Sequence, residues 1–560
     1  MQFELGLTFT GTVSAGAYTA GVIDFIIDAL DEWQKEKDAS KLEFGDDDDG
    51  HSKWTVPWHD VVIKGLSGAS GGGVSCGLIL NSVGKQYGHV RTPADAEGTD
   101  NDFYNAWVNM LGIEQLLATD DIAGSDIKSL LNCNAIPRLA DQLLVKANFG
   151  NTFIRPFIDD NLIAILTLTN LRGIPYVLQH KAILSESIVY YRHTDYAKFK
   201  LTNTDDDPNE DLDKDAIVIP LDTNSASFDK AYAQLKAACL CTCAFPAAFK
   251  AQPFTQQTDA YNNRPDAIAL DPITNPEYSF LSSDGGVLNT EPFQVLHDAF
   301  PKLSDSGQNP RGPEDVVRAI IMVAPLETSA VFDQAEPDLT KDSLVNIVIP
   351  VINSIRQEAL FSAEQIALAF NESVFSRFMI APVRNPSATT GNLLTPAITG
   401  TVLGDFAAFL SKDFRQHDYF LGRRNAQQFL RFHFAVPVDK VTNNPVFGPM
   451  KIRGQFDKFI FTDIDTEPQV DYFPIIPLCG AVKEDAFFPE WPTGKGFSID
   501  TIQNMVKDRV TALVNASASS LNLGTIEEII ASIILSRLKN ALTSKLMDVI
   551  NNGLNDVKLQ

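Results

Sequence analysis

The stretch "GLSGASGGGVSCG", residues 65–77, follows the apolar run "VVIKG" (61–65) and crowds glycines around Ser70. The chain has 34 glycines in 560 residues, so the clustering has a local cause. Either the backbone turns more sharply than a Cβ allows, or something must approach it closely. Residues 61–66 read as a buried strand and residues 72–83 as a helix, which puts the glycines at a strand-to-helix turn. Within it, Gly68-Ala69-Ser70-Gly71-Gly72 matches G-x-S-x-G. Such a turn lifts a serine hydroxyl clear of the backbone, with the unpaired N–H groups of a helix N-terminus behind it. A phosphate-cradling loop is also glycine-rich. Here no Lys-Ser/Thr follows for a P-loop, and no G-x-G-x-x-G for a dinucleotide.

Working outward, residues 3–9 read as a strand and "TGTVSAG" (10–16) as a turn. A helix is expected over 17–30, with Tyr18, Val22, Phe25, Ile26 and Ala29 on one face. Residues 31–60 read as a charged, acidic insertion. Further strands are expected at 163–169, 176–179, 188–192, 278–284 and 319–324, with helical patterns between most of them. Alternating elements with continuous apolar strands predict an α/β fold, its mostly parallel central sheet covered by helices on both faces. From residue 498 the chain reads as a mainly helical extension. Thr525 and Glu528 form a capping box, and Ile526, Ile530, Ile533, Ile534, Leu538, Leu542 and Leu546 make an apolar stripe.

Composition narrows the function classes. Apolar residues make up 44% and charged residues 21%, as in a globular protein with a large core. A net charge of −26 argues against a nucleic-acid partner and opposes approach to anionic lipid. The acidic runs 46–49 and 205–215 lack the ligand spacing of a calcium loop and read as solvated. The six cysteines are sparse for a disulfide framework. "CLCTC" (239–243) has no flanking histidine, so it reads as a small-residue wall rather than a metal site. No cofactor is expected. "MQFELGLTF" reads as a strand rather than a leader, and no run reaches 18 apolar residues, so the expected location is cytoplasmic.

A serine nucleophile needs a base. None of the eight histidines sits in an obvious loop after a late core strand, where a Ser-His-Asp triad would need it. Asp284, in "FLSSDGGVLNTEPF" (280–293), is the better candidate. An exposed carboxylate with a pKa of about 3.9 is a weak base, whereas burial beside a hydroxyl raises it toward working pH. Alone, D-G-G is an ordinary turn. Acyl transfer also needs oxyanion donors, and "TGTVSAGAYTAG" (10–21) offers backbone N–H groups at a helix start.

In this order the glycine turn, serine elbow and D-G-G motif resemble the patatin-like phospholipases over residues 3–330. "AYTAGV" (17–22), "LTLTNLRGIPYVL" (166–178), "CLCTCAFPAAF" (239–249) and "DGGVLNTEPF" (284–293) are similar too. The resemblance implies a three-layer α/β/α domain over 1–330, a packed extension over 331–497 and a helical segment over 498–560. It implies a catalytic Ser70–Asp284 dyad without histidine or metal. Gly11, Thr12, Val13 and Gly71 would supply the oxyanion hole. The implied substrate is a lipid or phospholipid acyl ester, met at a transient membrane or micelle interface.

One departure stands out. The family loop has three glycines, any residue, then Arg and Gly, whereas Gly11-Thr12-Val13-Ser14-Ala15-Gly16 keeps only the outer two glycines. Thr12 and Val13 are expected to crowd the site, and Ala15 stands where the cation belongs. In "FRQHDYFLGRRNAQQFL" (414–430), Asp418 is expected to pair internally with Arg423 and Arg424. The alternative has one arginine reaching the cleft in place of the lost loop arginine. A lipid- or acyl-binding protein without turnover is the rival reading.

Overall fold

Phe3, Leu5, Leu7 and Phe9 are buried on a first strand, β1 (Gln2–Phe9), that lies between two parallel neighbours. These are β2 (Asp60–Gly68) on one side and β8 (Arg318–Val323) on the other. The computed structural model describes residues 2–559 except 123–125, 151–153, 180–186, 203–213, 263, 265–274, 304–308, 327–353, 355–367, 369–370, 372, 386–393, 465–466, 495–497 and 520–524. For residues 177–179, 187–188, 301–303, 518–519 and 525–538 it describes the backbone alone.

The main sheet has nine strands among the described residues and runs β5-β4-β3-β2-β1-β8-β9. It comprises, besides those named, β3 (Ile158–Gln179), β4 (Ser187–Thr202), β5 (Ala216–Pro220) and β9 (Arg377–Ile380). A hairpin of β6 (Gln252–Gln257) and β7 (Glu277–Asp284) attaches antiparallel to β3. Most pairings are parallel; β3–β4 is antiparallel. Residues 163–169 and 176–179, expected as separate strands, are one long strand, β3. The Asn170–Gly173 stretch is an irregularity within it. Asn170 Oδ1 accepts the N–H groups of Arg172 and Gly173, and the register with β4 shifts there.

Helices cover both faces because successive strand residues point oppositely. Ile163, Ile165, Ile320 and Met322 pack against Phe293, Leu296 and Phe300 of the helix Phe293–Leu303. Ala164, Leu166 and Ile321 join the larger core with Ile23, Ile26 and Leu78 from two other helices, α1 (Gly16–Phe44) and α2 (Gly71–Ser82). A small antiparallel sheet, β10 (Ala435–Pro437), β12 (Val470–Pro474) and β11 (Phe461–Asp463), lies later in the chain.

The charged stretch after residue 30 is not an insertion for most of its first half, since α1 continues to Phe44. Its acidic face is buried. Asp24 and Asp28 are fully enclosed by Arg423, Arg91, His89 and the Tyr419 hydroxyl. Arg423 and Tyr419 belong to the helix Lys412–Phe432, here α3, which crosses α1 at two glycines. A Cβ on Gly21 would stand 1.9 Å from the Tyr419 carbonyl oxygen, and one on Gly422 2.2 Å from that of Tyr18.

This geometry overturns both expectations for the arginines. Five or six helical positions separate Asp418 from Arg423 and Arg424, which turns them onto different faces. Asp418 instead accepts from the Thr399 and Gly400 N–H groups, and Arg424 donates to the Ala486 carbonyl. The C-terminal part is helical over Ile499–Ser519 and Thr525–Asp556. Of the expected stripe, the side chains of Ile526, Ile530, Ile533, Ile534 and Leu538 lie outside the described residues, as do those of Thr525 and Glu528; Leu542 and Leu546 are exposed. Residues 205–213 of the second acidic run also lie outside, while Asp215 is buried against Lys198. Among the described residues no helix is long and apolar enough to cross a membrane.

Candidate active site

Between β2 and α2, Ser70 adopts φ 51°, ψ −126°, a conformation L-residues avoid at a cost of roughly 1–3 kcal/mol. The residues two places to either side must be glycine. A Cβ on Gly68 would stand 2.4 Å from the Gly72 carbonyl oxygen, and one on Gly72 2.4 Å from that of Phe9. The strained turn is held by the Ser70 N–H, which donates to Thr242 Oγ1 at 3.0 Å. Thr242 lies in the quoted cysteine segment, where its polar role was masked by small buried neighbours.

Asp284 ends β7, 2% exposed, and Ser70 is 8% exposed. Ser70 Oγ donates to Asp284 Oδ2 at 2.6 Å, while Asp284 Oδ1 accepts the Gly286 N–H at 2.7 Å. The Asp284 backbone is pinned on both sides, its N–H by the Ala244 carbonyl and its own carbonyl by Thr169 Oγ1. Both carboxylate oxygens therefore have fixed tasks. No described histidine hydrogen-bonds Ser70; His59 and His89, for example, bind the Ile475 carbonyl and Asp24. His180 lies outside the described residues.

The four expected oxyanion residues surround this pair, but their N–H groups differ in what they are doing. Gly11 N–H donates to the Thr290 carbonyl at 2.9 Å. Gly71 N–H donates to the Thr12 carbonyl at 3.2 Å, and that same oxygen lies 3.4 Å from Ser70 Oγ. The N–H groups of Thr12 and Val13 have no hydrogen-bond partner among the described residues. In this arrangement Gly11 and Gly71 are committed elsewhere, and a backbone carbonyl faces the nucleophile.

The place expected to lack a cation is filled by backbone. Ala15 is buried, and a Cβ on Gly400 would stand 2.6 Å from its Cα. The turn that carries Gly400 is the one tied down by Asp418. Neither Arg423 nor Arg424 reaches the cleft.

Beside Ser70 opens an apolar cavity, walled by Val74, Leu78, Trp107, Leu139, Leu143 and Phe249. Trp107 sits on a π-helical stretch, Asn105–Met110, a distortion that recurs at functional sites. Sequence reading did not single it out, because one tryptophan between short helical patterns has no periodic signature. Cys239 and Cys243 also line the cavity. Burial, then the Asp284 charge, hold the Cys243 thiol well above its usual pKa, so it stays neutral. Among the described residues no group of three or more His, Cys, Asp or Glu side chains is placed to hold a metal.

No family model matches the chain. "Uncharacterized protein y4iI" of Sinorhizobium fredii is 29% identical over 533 residues, which covers 87% of this chain and 72% of that protein. Among solved structures, VipD from Legionella pneumophila aligns over 99% of this chain and 87% of its own at 11% identity. The TM-score is 0.24, too low to carry any argument.

Proposed function

We propose that this protein is a serine acyl hydrolase of the patatin-like type, acting on lipid acyl esters. The observation that carries the reading is the 2.6 Å bond from Ser70 Oγ to Asp284 Oδ2 at the head of a helix, beside an apolar cavity. Ser70 Oγ attacks the ester carbonyl, forming the Oγ–C bond as its proton passes to Asp284. Collapse of the tetrahedral intermediate breaks the bond to the leaving alkoxide, which takes that proton. Asp284 then accepts a proton from water as that water attacks the acyl-enzyme; the Oγ–C bond breaks, Ser70 Oγ takes the proton back from Asp284, and the acid is released. The cavity takes the acyl chain, and the Gly286 N–H keeps the carboxylate oriented throughout.

The oxyanion needs donors, and the Thr12–Val13 peptide must turn before Gly71 and Val13 N–H groups can serve it. A slow enzyme is expected. The same observation favours a second reading, a lipid- or acyl-binding protein without turnover, in which that peptide never turns. An esterase assay over p-nitrophenyl esters of increasing chain length separates the two. Ser70→Ala and Asp284→Asn should each lower kcat by on the order of 10³-fold or more while the fold is kept. Activity that survives in Ser70→Ala would sink the hydrolase reading.

A further inference from the structure

We propose that the side-chain hydroxyl of Thr12 is an oxyanion donor, replacing a loop glycine N–H with an O–H. The inference rests on the hydrolase reading and names a further group that touches the reacting atoms. Thr12 borders the cavity together with Ser70 and Gly71, and it is 6% exposed. Its Oγ1 is buried and has no hydrogen-bond partner among the described residues. A hydroxyl held unpaired in an apolar wall is costly and calls for a reason.

Position supplies the reason. A Cβ on Gly71 would stand 2.7 Å from the Thr12 carbonyl oxygen and 3.0 Å from Thr12 Cγ2. The Thr12 side chain thus packs directly on the residue after the nucleophile, whose N–H is the usual oxyanion donor of a serine elbow. A 120° rotation about χ1 carries Oγ1 into the place of Cγ2, which moves to that of Hβ. Threonine has more than one accessible rotamer, and this rotation breaks no hydrogen bond because Oγ1 makes none. The hydroxyl then lies against the Cα of Gly71, and once the Thr12–Val13 peptide turns it can reach the oxygen of an acyl carbonyl bound at Ser70 together with the Gly71 N–H. Side-chain hydroxyls act in oxyanion holes as backbone donors do. The substitution that seemed to crowd the loop therefore adds a donor to it.

The test compares wild type with Thr12→Val, which keeps the shape and loses the hydroxyl, and Thr12→Ser, which keeps the hydroxyl. Hydrolysis of p-nitrophenyl butyrate and the rate of Ser70 labelling by a fluorophosphonate are measured on the full chain. Thr12→Val should lose on the order of 10²-fold in kcat and in labelling rate. Its KM should stay within about threefold, because the bond forms to the transition state. Thr12→Ser should stay within about fivefold of wild type. Thermal melting reports folding, and Thr12→Ala replaces the valine variant if that one does not fold. Equal labelling rates in wild type and Thr12→Val, or a serine variant as slow as the valine one, would overturn the role of Thr12 alone. A wild type that the fluorophosphonate does not label at Ser70 would overturn the hydrolase reading and this role with it.

Discussion

The carbonyl oxygen of Thr12 sits 3.2 Å from the Gly71 nitrogen, on ground that a reacting acyl oxygen would need. Because the peptide is trans and planar, the Val13 N–H on its far side points away from Ser70. In the proposed hydrolase, turnover would therefore wait on rotation of one peptide. A β-branched residue at 13 restricts that rotation, and glycine would release it. Val13→Gly should raise kcat on p-nitrophenyl butyrate by roughly three- to tenfold, a barrier change of about 1 kcal/mol. An unchanged kcat in a folded variant would show that the peptide turn is not limiting.

Placing at position 15 the arginine of the patatin-like pattern should fail. Ala15 is enclosed by the Gly400 turn, so Ala15→Arg would drive a guanidinium into backbone, and the nearby Asp418 carboxylate is already engaged by the Thr399 and Gly400 N–H groups. The expected cost is about 3 kcal/mol or more, read as a lower midpoint in urea, with no gain in activity. A variant as stable as wild type would mean that the 399–401 turn yields easily.

Arg423 holds the buried carboxylates of Asp24 and Asp28. Arg423→Met leaves them with His89 and Arg91 as cations and neutral donors from Tyr419 and Asn101, and should destabilise the fold by about 3–5 kcal/mol. Adding Asp24→Asn should recover part of the loss, giving a non-additive double-mutant cycle. Strict additivity would show that the two groups are energetically independent.

His89 gives the same seam a pH dependence. Burial alone would lower its pKa, but the charge and hydrogen bond of Asp24, with Asp31 and Asp28, raise it to about 9. The unfolded value is about 6.5, so the folded state binds the proton more tightly. The contribution, on the order of 3 kcal/mol, is complete below pH 6.5 and is lost as pH rises through 9. Melting temperature should fall between these values in wild type, and His89→Gln should flatten the profile. An equally steep fall in the variant would assign the effect to other groups.

The neighbourhood of Ser70 was legible because its logic is local: an apolar strand, glycines forced by backbone contacts, then a helix. Asp284 was legible for the same reason, at the end of an apolar strand before Gly285. What stayed hidden depends on distant partners. Asp31 and Glu32 read as the start of a charged insertion until His89, Arg91 and Arg155 neutralise them, so the true length of α1 could not be seen. Asn170 and Gly173 look like a turn because their residue types suit one, yet the Asn170 side chain stitches them into a continuous strand. Which loop N–H groups are engaged depends on Thr290 and Asp405, hundreds of residues away.

The crossing of α1 and α3 has a consequence for how the chain is made. During synthesis His89 and Arg91 follow α1 closely and offset Asp24 and Asp28 in part, but the third cation is missing and the glycine notch at Gly21 awaits its match. Their counterparts, Arg423 and Gly422, leave the ribosome some 400 residues later, tens of seconds at ordinary elongation rates. Through that interval α1, next to the Gly11–Gly16 loop, lacks the helix it packs on, so Ser70 is expected to be in place before the loop opposite it. Nascent chains released short of residue 432 should therefore lack hydrolysis even though both Ser70 and Asp284 are present.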